Sequence, residues 1–176
     1  MKEIRLEKWP RNGRKQLEEL YENVDQQHCL VQVPLPMPEE ETKAYIHAID
    51  AGIVDEKPFL CFGIQEGDDI IGKIELSKDD KGVAELDLII RKEYENQGVG
   101  TKALKEMMRY VEKENWCDEI EAYVNEENVA MMKVLENNGF LRQKKFKADI
   151  VVRQDDLYTL KEINGYEYTY TLTHEL

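Results

Sequence analysis

"YENQGVGTKAL", residues 94–104, sets Gly98 and Gly100 one residue apart, after an apolar run and before a helical pattern. Glycines at such a handover let main-chain N–H groups at a helix start come close to a ligand, and the helix dipole favours negative charge there. The stretch therefore suits a phosphate. A plain loop whose glycines serve turn geometry remains open, because a lone Gly-x-Gly is common.

Upstream, "FLCFGIQ" (59–65), "DIIGKIELS" (69–77) and "VAELDLII" (83–90) are apolar runs separated by spacers of hairpin length. They predict three antiparallel strands. Before them, residues 12–24 carry Leu17, Leu20, Tyr21 and Val24 at helical spacing, and residues 38–54 open with Pro38 and acids that suit a helix N-terminus. Downstream, Val99, Ala103, Leu104, Met107, Met108 and Val111 form one stripe of a helix over 98–114. "EIEAYV" (119–124) reads as a strand, and a helix runs from Asn125 as N-cap to Gly139 as its left-handed stop. Residues 144–152 and 165–172 alternate like two more strands.

Two phosphate-binding designs fit poorly. A P-loop wants Gly-Lys-Ser/Thr, whereas the order here is Gly100-Thr101-Lys102. The dinucleotide fingerprint is formally met by Gly98, Gly100 and Ala103, with Glu121 roughly twenty residues on. Against it, the apolar strand ends at Ile90, and the polar "RKEYENQ" intervenes where a tight turn is wanted. Hairpin-joined strands upstream also oppose a repeated parallel unit.

A third design covers more of the chain. "LIIRKEYENQGVGTKAL" (88–104) resembles the acetyl-CoA pyrophosphate loop of the GNAT superfamily of N-acetyltransferases, and "NVAMMKVLENNGF" (128–140) resembles that family's later helix, in which an Asn precedes Gly-Phe by eleven residues. The resemblance spans roughly residues 55–175 and is closest to the ribosomal-protein and aminoglycoside-type branch. It implies an α/β (α+β) fold, a mixed, mostly antiparallel sheet splayed at its fourth and fifth strands and flanked by helices. Acetyl-CoA is the implied cosubstrate. The main-chain N–H groups of Gln97, Gly98, Val99, Gly100 and Thr101 would hold the pyrophosphate, the main chain of Ile89 and Ile90 would pair with the pantetheine arm, and Asn128 would touch the cofactor farther along.

The sequence also departs from the family pattern. Glu95 stands where the motif has Arg or Gln, and its side chain is expected to turn outward. Leu135 occupies the position of the tyrosine that often protonates the CoA thiolate, which leaves Tyr158, another tyrosine or water to serve. For a base, the strand 83–90 puts Glu85 and Asp87 on one face with Ile89, opposite Leu86, Leu88 and Ile90. Either carboxylate suits proton removal from an amine through water, with Glu85 placed first; both are equally readable as exposed residues of a half-buried strand.

The formal net charge of −13 opposes nucleic acid and anionic membrane, and favours a basic acceptor such as a polyamine, an aminocyclitol or a basic peptide terminus. Cys29, Cys61 and Cys117 are too scattered for a disulfide framework or a zinc site, and none stands beside an activating partner, so no acyl-enzyme is expected. His28, His47 and His174 lack metal-ligand spacing, and the Asp-Asp pairs at 79–80 and 155–156 read as solvated turns rather than calcium loops. The methionine pairs 107–108 and 131–132 read as core fillers, and Tyr166, Tyr168 and Tyr170 as one strand face that packs on a helix or lines a substrate cleft. With no signal peptide and no long apolar run, residues 1–176 are expected to form one cytoplasmic domain, with a homodimer possible. The expected activity is direct transfer of acetyl from acetyl-CoA to a primary amine of a small molecule or peptide, with a main-chain N–H near Ile89 or Ile90 holding the oxyanion. A non-catalytic acetyl-CoA-binding sensor or interaction module is the alternative.

Overall fold

The strand before the glycines, β5 (Val83–Ile90), lies in the middle of an eight-stranded sheet. A computed structural model describes residues 3–154 and 157–173; Asp155, Asp156 and His174 lie outside the described residues. Ahead of β5 come β1 (Ile4–Lys8), α1 (Arg14–Glu22), α2 (Glu39–Ala51), β2 (Ile53–Val54), β3 (Lys57–Glu66) and β4 (Asp69–Lys78). After it come a 3-10 turn (Lys92–Tyr94), α3 (Val99–Lys113), β6 (Glu119–Asn125), α4 (Val129–Asn137), β7 (Leu141–Gln154) and β8 (Leu157–Thr171).

The strands run β1-β3-β4-β5-β6-β8-β7, with β2 paired to β3. All pairings are antiparallel except β5 with β6, which a crossover through α3 makes parallel. β5 stays paired to β4 as far as Ile90↔Gly72, but its pairing to β6 covers only Val83↔Glu119, Ala84↔Ile120 and Glu85↔Glu121. Beyond Glu85 the sheet opens. Leaving out the short β2, β5 and β6 are the fourth and fifth strands, so the expected splay is present.

Strand alternation sorts the core onto two faces. On one, Leu86, Ile74, Leu76 and Ile120 pack against Val99, Ala103, Leu104 and Met107 of α3 and Leu135 of α4. On the other, Ile70 and Ile89 pack under Leu17, Leu20 and Tyr21 of α1, with Trp9. The α3 stripe matches the predicted one, although Met108, like Met131 and Met132, is only partly buried. α2 has Glu39, Glu40 and Glu41 in its first turn and ends on left-handed Gly52. Asp79 Oδ1 accepts from the N–H groups of Lys81 and Val83 at 2.9 Å each, which makes the first Asp-Asp pair an Asx turn that closes the β4–β5 hairpin.

Several elements differ from expectation, among them β2, whose Ile53–Val54 lie inside the helix expected over 38–54. The N-cap of α4 is Asn128, whose side chain accepts from Met131 N at 3.1 Å, while Asn125 ends β6 and accepts from Glu127 N at 3.0 Å. β1, five residues with little apolar content, gains its strand form only by pairing with β3. β7 and β8 outrun their alternating cores: β6 pairs β8 only from Gly165 to Thr171, so the hairpin projects past the sheet. Among the described residues no helix is long and apolar enough to cross a membrane.

Candidate functional site

Two joined cavities occupy the opening between β5 and β6. The first, about 470 Å³, is walled by Leu88 and Ile90 of β5, Gly98–Thr101 at the start of α3, and Asn128 and Lys133 of α4. The helical ladder of α3 begins with Lys102 N donating to Gly98 O at 3.1 Å, so the N–H groups of Val99, Gly100 and Thr101 precede it and face the cavity end. Gly98, the N-cap, has φ 78°, a conformation that side chains resist. A Cβ on Gly100 would stand 3.1 Å from Val134 Cγ2 and 3.2 Å from Ile90 Cδ1. Asn138 Nδ2, donating to Thr101 O at 3.1 Å, ties α4 to this wall.

Along β5 the main chain alternates. Arg91 N donates to Ile71 O and Asp79 N donates to Val83 O, so the odd-numbered residues between them turn their main chain to β4. Ile89 is one of these, with its carbonyl packed against Gly72. Leu88 and Ile90 therefore turn their main chain toward the opening. Of the expected pair, Ile90 is so placed, while the main chain of Ile89 is committed to β4.

The second cavity, about 540 Å³, lies beneath α1 and α2 and meets the first at Val24, Cys29, Leu88, Ile89, Asn128 and Met131. Glu85 and Asp87 line it from β5, Lys73 and Glu75 from β4, Tyr21 and Tyr45 from the helices, and Tyr123 and Asn125 from β6. Glu75 stands directly across from Asp87, and Lys73 from Ile89. Lys73 Nζ donates to Glu75 Oε2 at 2.8 Å, Tyr21 OH at 3.0 Å and Tyr45 OH at 2.5 Å; Tyr45 OH also donates to Glu75 Oε2. Burial disfavours the ammonium of Lys73, but Glu75, Tyr45, Tyr21 and Asp87 outweigh it and hold its pKa well above the usual lysine value.

Asp87 Oδ2 lies 3.8 Å from Lys73 Nζ. Its side chain is 58% exposed to the open cavity, yet the surrounding walls desolvate it. That desolvation raises its pKa above the usual aspartate value; Lys73 and the N–H of Leu88 pull it down, and Glu75 and Glu85 push it up. Tyr123 is pushed up to about 12 by desolvation and by Glu121 and Glu167. Among the cavity carboxylates, Asp87 thus combines access to solvent with an affinity for protons above the ordinary.

Other predicted residues separate. Gln97 turns its side chain back to Glu93 O at 2.7 Å, and is not on the cavity wall. Glu95 does not turn outward: it lines the first cavity, where desolvation and Asp25 raise its carboxyl. Leu135 is fully buried in the core. Tyr158 is 63% exposed on the projecting hairpin and lines neither cavity, and Tyr168 is buried with its OH donating to Glu136 at 2.9 Å. His28 is at the second cavity, Nδ1 3.5 Å from Glu127 Oε2, and His47 is exposed on α2. Burial raises the thiols of Cys29, Cys61 and Cys117 to about 11, 12 and 11, which leaves them protonated and poorly nucleophilic.

Sequence reading missed Lys73, Glu75, Tyr21 and Tyr45 as site residues. On β4 the polar set Lys73, Glu75 and Ser77 looks like a solvated face, and Tyr21 like one more member of a helix stripe. The available signal was a strand pair with acids and a lysine on facing polar edges, preceded by two helices able to cover them.

The family model for the acetyltransferase (GNAT) domain matches residues 5–141. No curated protein sequence matches the chain. Among solved structures, the chain is similar to a GNAT-family acetyltransferase from Bacillus anthracis, at 18% identity over 96% of this chain and 94% of that one, with TM-score 0.71. It is similar to the ribosomal L7/L12 α-N-protein acetyltransferase RimL in complex with coenzyme A, at 12% identity over 96% and 94%, with TM-score 0.75. It is similar also to the microcin C7 self-immunity acetyltransferase MccE in complex with acetyl-CoA and AMP, at 13% identity over 97% and 93%, with TM-score 0.74. At these identities the structural likenesses establish the fold, and the family follows from the domain match, which spans most of the sequence. The chain belongs to the GNAT family of acetyltransferases.

Proposed function

We propose that residues 1–176 act as one catalytic domain that moves acetyl from acetyl-CoA to a primary amine of a small molecule or peptide, cationic before it reacts. One observation carries this reading: the opening between β5 and β6 joins a cavity headed by free helix N–H groups to a cavity lined with carboxylates. The acetyl-CoA and coenzyme A complexes of MccE and RimL support the choice of cosubstrate, and RimL's α-N-protein acetylation supports an amine acceptor.

The residues present fit acetyl-CoA. The N–H groups of Val99, Gly100 and Thr101, with that of Gly98 at the left-handed cap, would receive the pyrophosphate at the positive end of α3, and Lys133 adds a cation on the same wall. Glu95 and Asp25 oppose an anion at this rim, where Lys133 and the start of α3 favour one. The main chain of Leu88 and Ile90 would pair with the amides of the pantetheine arm, and Asn128, which lines both cavities, would stand beside it. When bound, acetyl-CoA supplies an activated acetyl group as a thioester.

Asp87 takes the proton of the acceptor ammonium, directly or through one water, and so frees the lone pair that attacks the carbonyl carbon. Support for Asp87 over Glu85 lies in its raised affinity for protons and its place across from Glu75, beside the covered lysine. Glu85 keeps the amine end cationic as it approaches. The N–H of Ile90 receives the oxygen that gains negative charge as the C–N bond forms, since that of Leu88 already meets the Asp87 carboxylate. As the C–S bond breaks, the sulfur leaves as thiolate, and the nitrogen, cationic since the C–N bond formed, gives up its second proton to water in the cavity, which passes it to the thiolate, so that the products are the amide and the CoA thiol.

The experiment is thiol release from acetyl-CoA in the presence of primary amines, run on the unsubstituted protein, Asp87→Asn and Glu85→Gln. Amine-dependent release that Asp87→Asn suppresses more than Glu85→Gln supports the reading. Release without amine dependence, or none with any amine class, would overturn it.

A further inference from the structure

Asn125 holds a buried donor that none of the described residues uses. The residue is 2% exposed and lines the second cavity, yet among the described residues its Nδ2 has no hydrogen-bond partner. Which end of the amide carries the donor is fixed locally. Oδ1 accepts from Glu127 N at 3.0 Å, an N–H that only an oxygen can satisfy, so the opposite end is the NH₂ group. A buried donor left unmade is costly, and buried amides are otherwise paired almost without exception. The main chain of Asn125 is already engaged, with its carbonyl accepting from Asn128 N at 2.8 Å.

The position says which ligand would use it. Asn125 lines the carboxylate-bearing cavity and not the one headed by α3, unlike Asn128, which lines both. Strand alternation puts Asn125 on the same face as Tyr123. The two strands are last paired at Glu85↔Glu121 and open beyond it, so Asp87, two residues on, and Asn125, four residues on, stand on opposite walls of the same cavity. A ligand lying across that cavity can present a nitrogen to Asp87 and an oxygen to Asn125. A protonated polyamine offers this cavity only further donors. An amine with a nearby carbonyl or hydroxyl offers the acceptor that Nδ2 lacks.

Resting on the acetyl-transfer reading above, we infer that Asn125 is a specificity-determining residue whose Nδ2 donates to an oxygen of the acceptor, so that the enzyme selects amines bearing a carbonyl or hydroxyl oxygen a few bonds from the reactive nitrogen. Asp87 reads the amine and Asn125 reads the oxygen.

The test compares oxygen-bearing acceptors, a glycyl-peptide amide and glucosamine, with oxygen-free 1,4-diaminobutane, by thiol release at pH 8. Two variants are used. Asn125→Asp keeps the acceptor for Glu127 N and loses the NH₂ donor, and Asn125→Ala loses both. Acetyl-CoA-induced thermal stabilisation reports on folding and on the cosubstrate site independently of the acceptor. The expected result is a better kcat/KM for at least one oxygen-bearing amine than for the diamine, and a rise of ten-fold or more in its KM in both variants. The acetyl-CoA shift should stay unchanged in both variants, and the KM for 1,4-diaminobutane should rise in neither. The inference is overturned if the diamine is the best acceptor, if no oxygen-bearing amine turns over, or if both classes lose equally. It is also overturned if the variants weaken acetyl-CoA instead, which would assign the donor to the cosubstrate. No acetyl-CoA shift in the unsubstituted protein would overturn the acetyl-transfer reading itself, and this inference with it.

Discussion

Lys73 Nζ lies 2.8 Å from Glu75 Oε2, on a lysine side chain 1% exposed beneath α1 and α2. Such a cation is tolerated only because a carboxylate and two tyrosine hydroxyls surround it. Lys73→Met removes the cation, leaving the Glu75 carboxylate with only the Tyr45 hydroxyl against it and the Tyr21 hydroxyl without its ammonium, at a cost of about 3–5 kcal/mol. The double variant Lys73→Met with Glu75→Leu should cost clearly less, since no unpaired charge is left. Urea unfolding of the two variants checks this, and equal losses would show that the pair is not coupled.

Asp87 should link activity to stability with opposite signs. Its carboxyl is raised in the folded state, mainly by desolvation, so between the ordinary aspartate pKa of about 3.9 and the raised value the folded state binds more protons than the unfolded one. Ionising Asp87 therefore destabilises the fold as pH rises through that window. Asp87→Asn should melt higher than the parent at neutral pH and show no such gain at pH below the ordinary value. The same substitution should lower kcat by on the order of 10²-fold and remove an acid limb of the kcat/KM profile lying above pH 4. A profile of unchanged shape in Asp87→Asn would assign the base elsewhere.

The two glycines should fail in different ways. Gly98 has φ 78° and open space around its missing Cβ, so Gly98→Ala costs stability, about 1 kcal/mol, by backbone strain alone. Gly100 has a helical backbone but faces Val134 and Ile90 at 3.1 and 3.2 Å. Gly100→Val pushes α4 and β5 away from the start of α3, and should abolish stabilisation by acetyl-CoA in a thermal melt. Retention of the full shift would show that the α3 terminus does not hold the cosubstrate.

Replacing Leu135 by tyrosine tests the missing acid. Leu135 is 0% exposed and packed against the sheet. A larger, hydroxylated side chain there should destabilise by about 1–3 kcal/mol through overpacking. Turnover should not rise, because water already suffices for the thiolate. A gain in kcat would show that protonation of sulfur limits the present enzyme.

The elements around the glycines were legible in the sequence because their signals are local. The α3 stripe and the Gly98–Gly100 handover each lie within about fifteen residues, and each of the three hairpin-joined strands is ten residues or fewer. The α4 cap was misread because Asn125 and Asn128 are both good caps, and only the three-dimensional path decides which side chain meets Met131 N and which meets Glu127 N. The resemblance groups Ile89 with Ile90 as one stretch of strand, whereas the direction of each main-chain N–H depends on which neighbouring strand it pairs with, and that of Ile89 is turned to β4. Glu85 and Asp87 both line the second cavity, but their order as candidate bases turns on Lys73, 14 residues from Asp87 in sequence and 3.8 Å away in space. Glu95 was expected outside because its partner in raising the carboxyl, Asp25, lies on a remote loop.

The central claim is that acetyl-CoA lies in the opening between β5 and β6 with its pyrophosphate on α3. Amide hydrogen exchange, read residue by residue with and without acetyl-CoA, addresses it directly. The expected result is added protection at Leu88 and Ile90 and at Val99, Gly100 and Thr101, with little change at Ile89, whose N–H is already paired to β4. Binding that protects some other segment, or no change with acetyl-CoA at all, would contradict the claim.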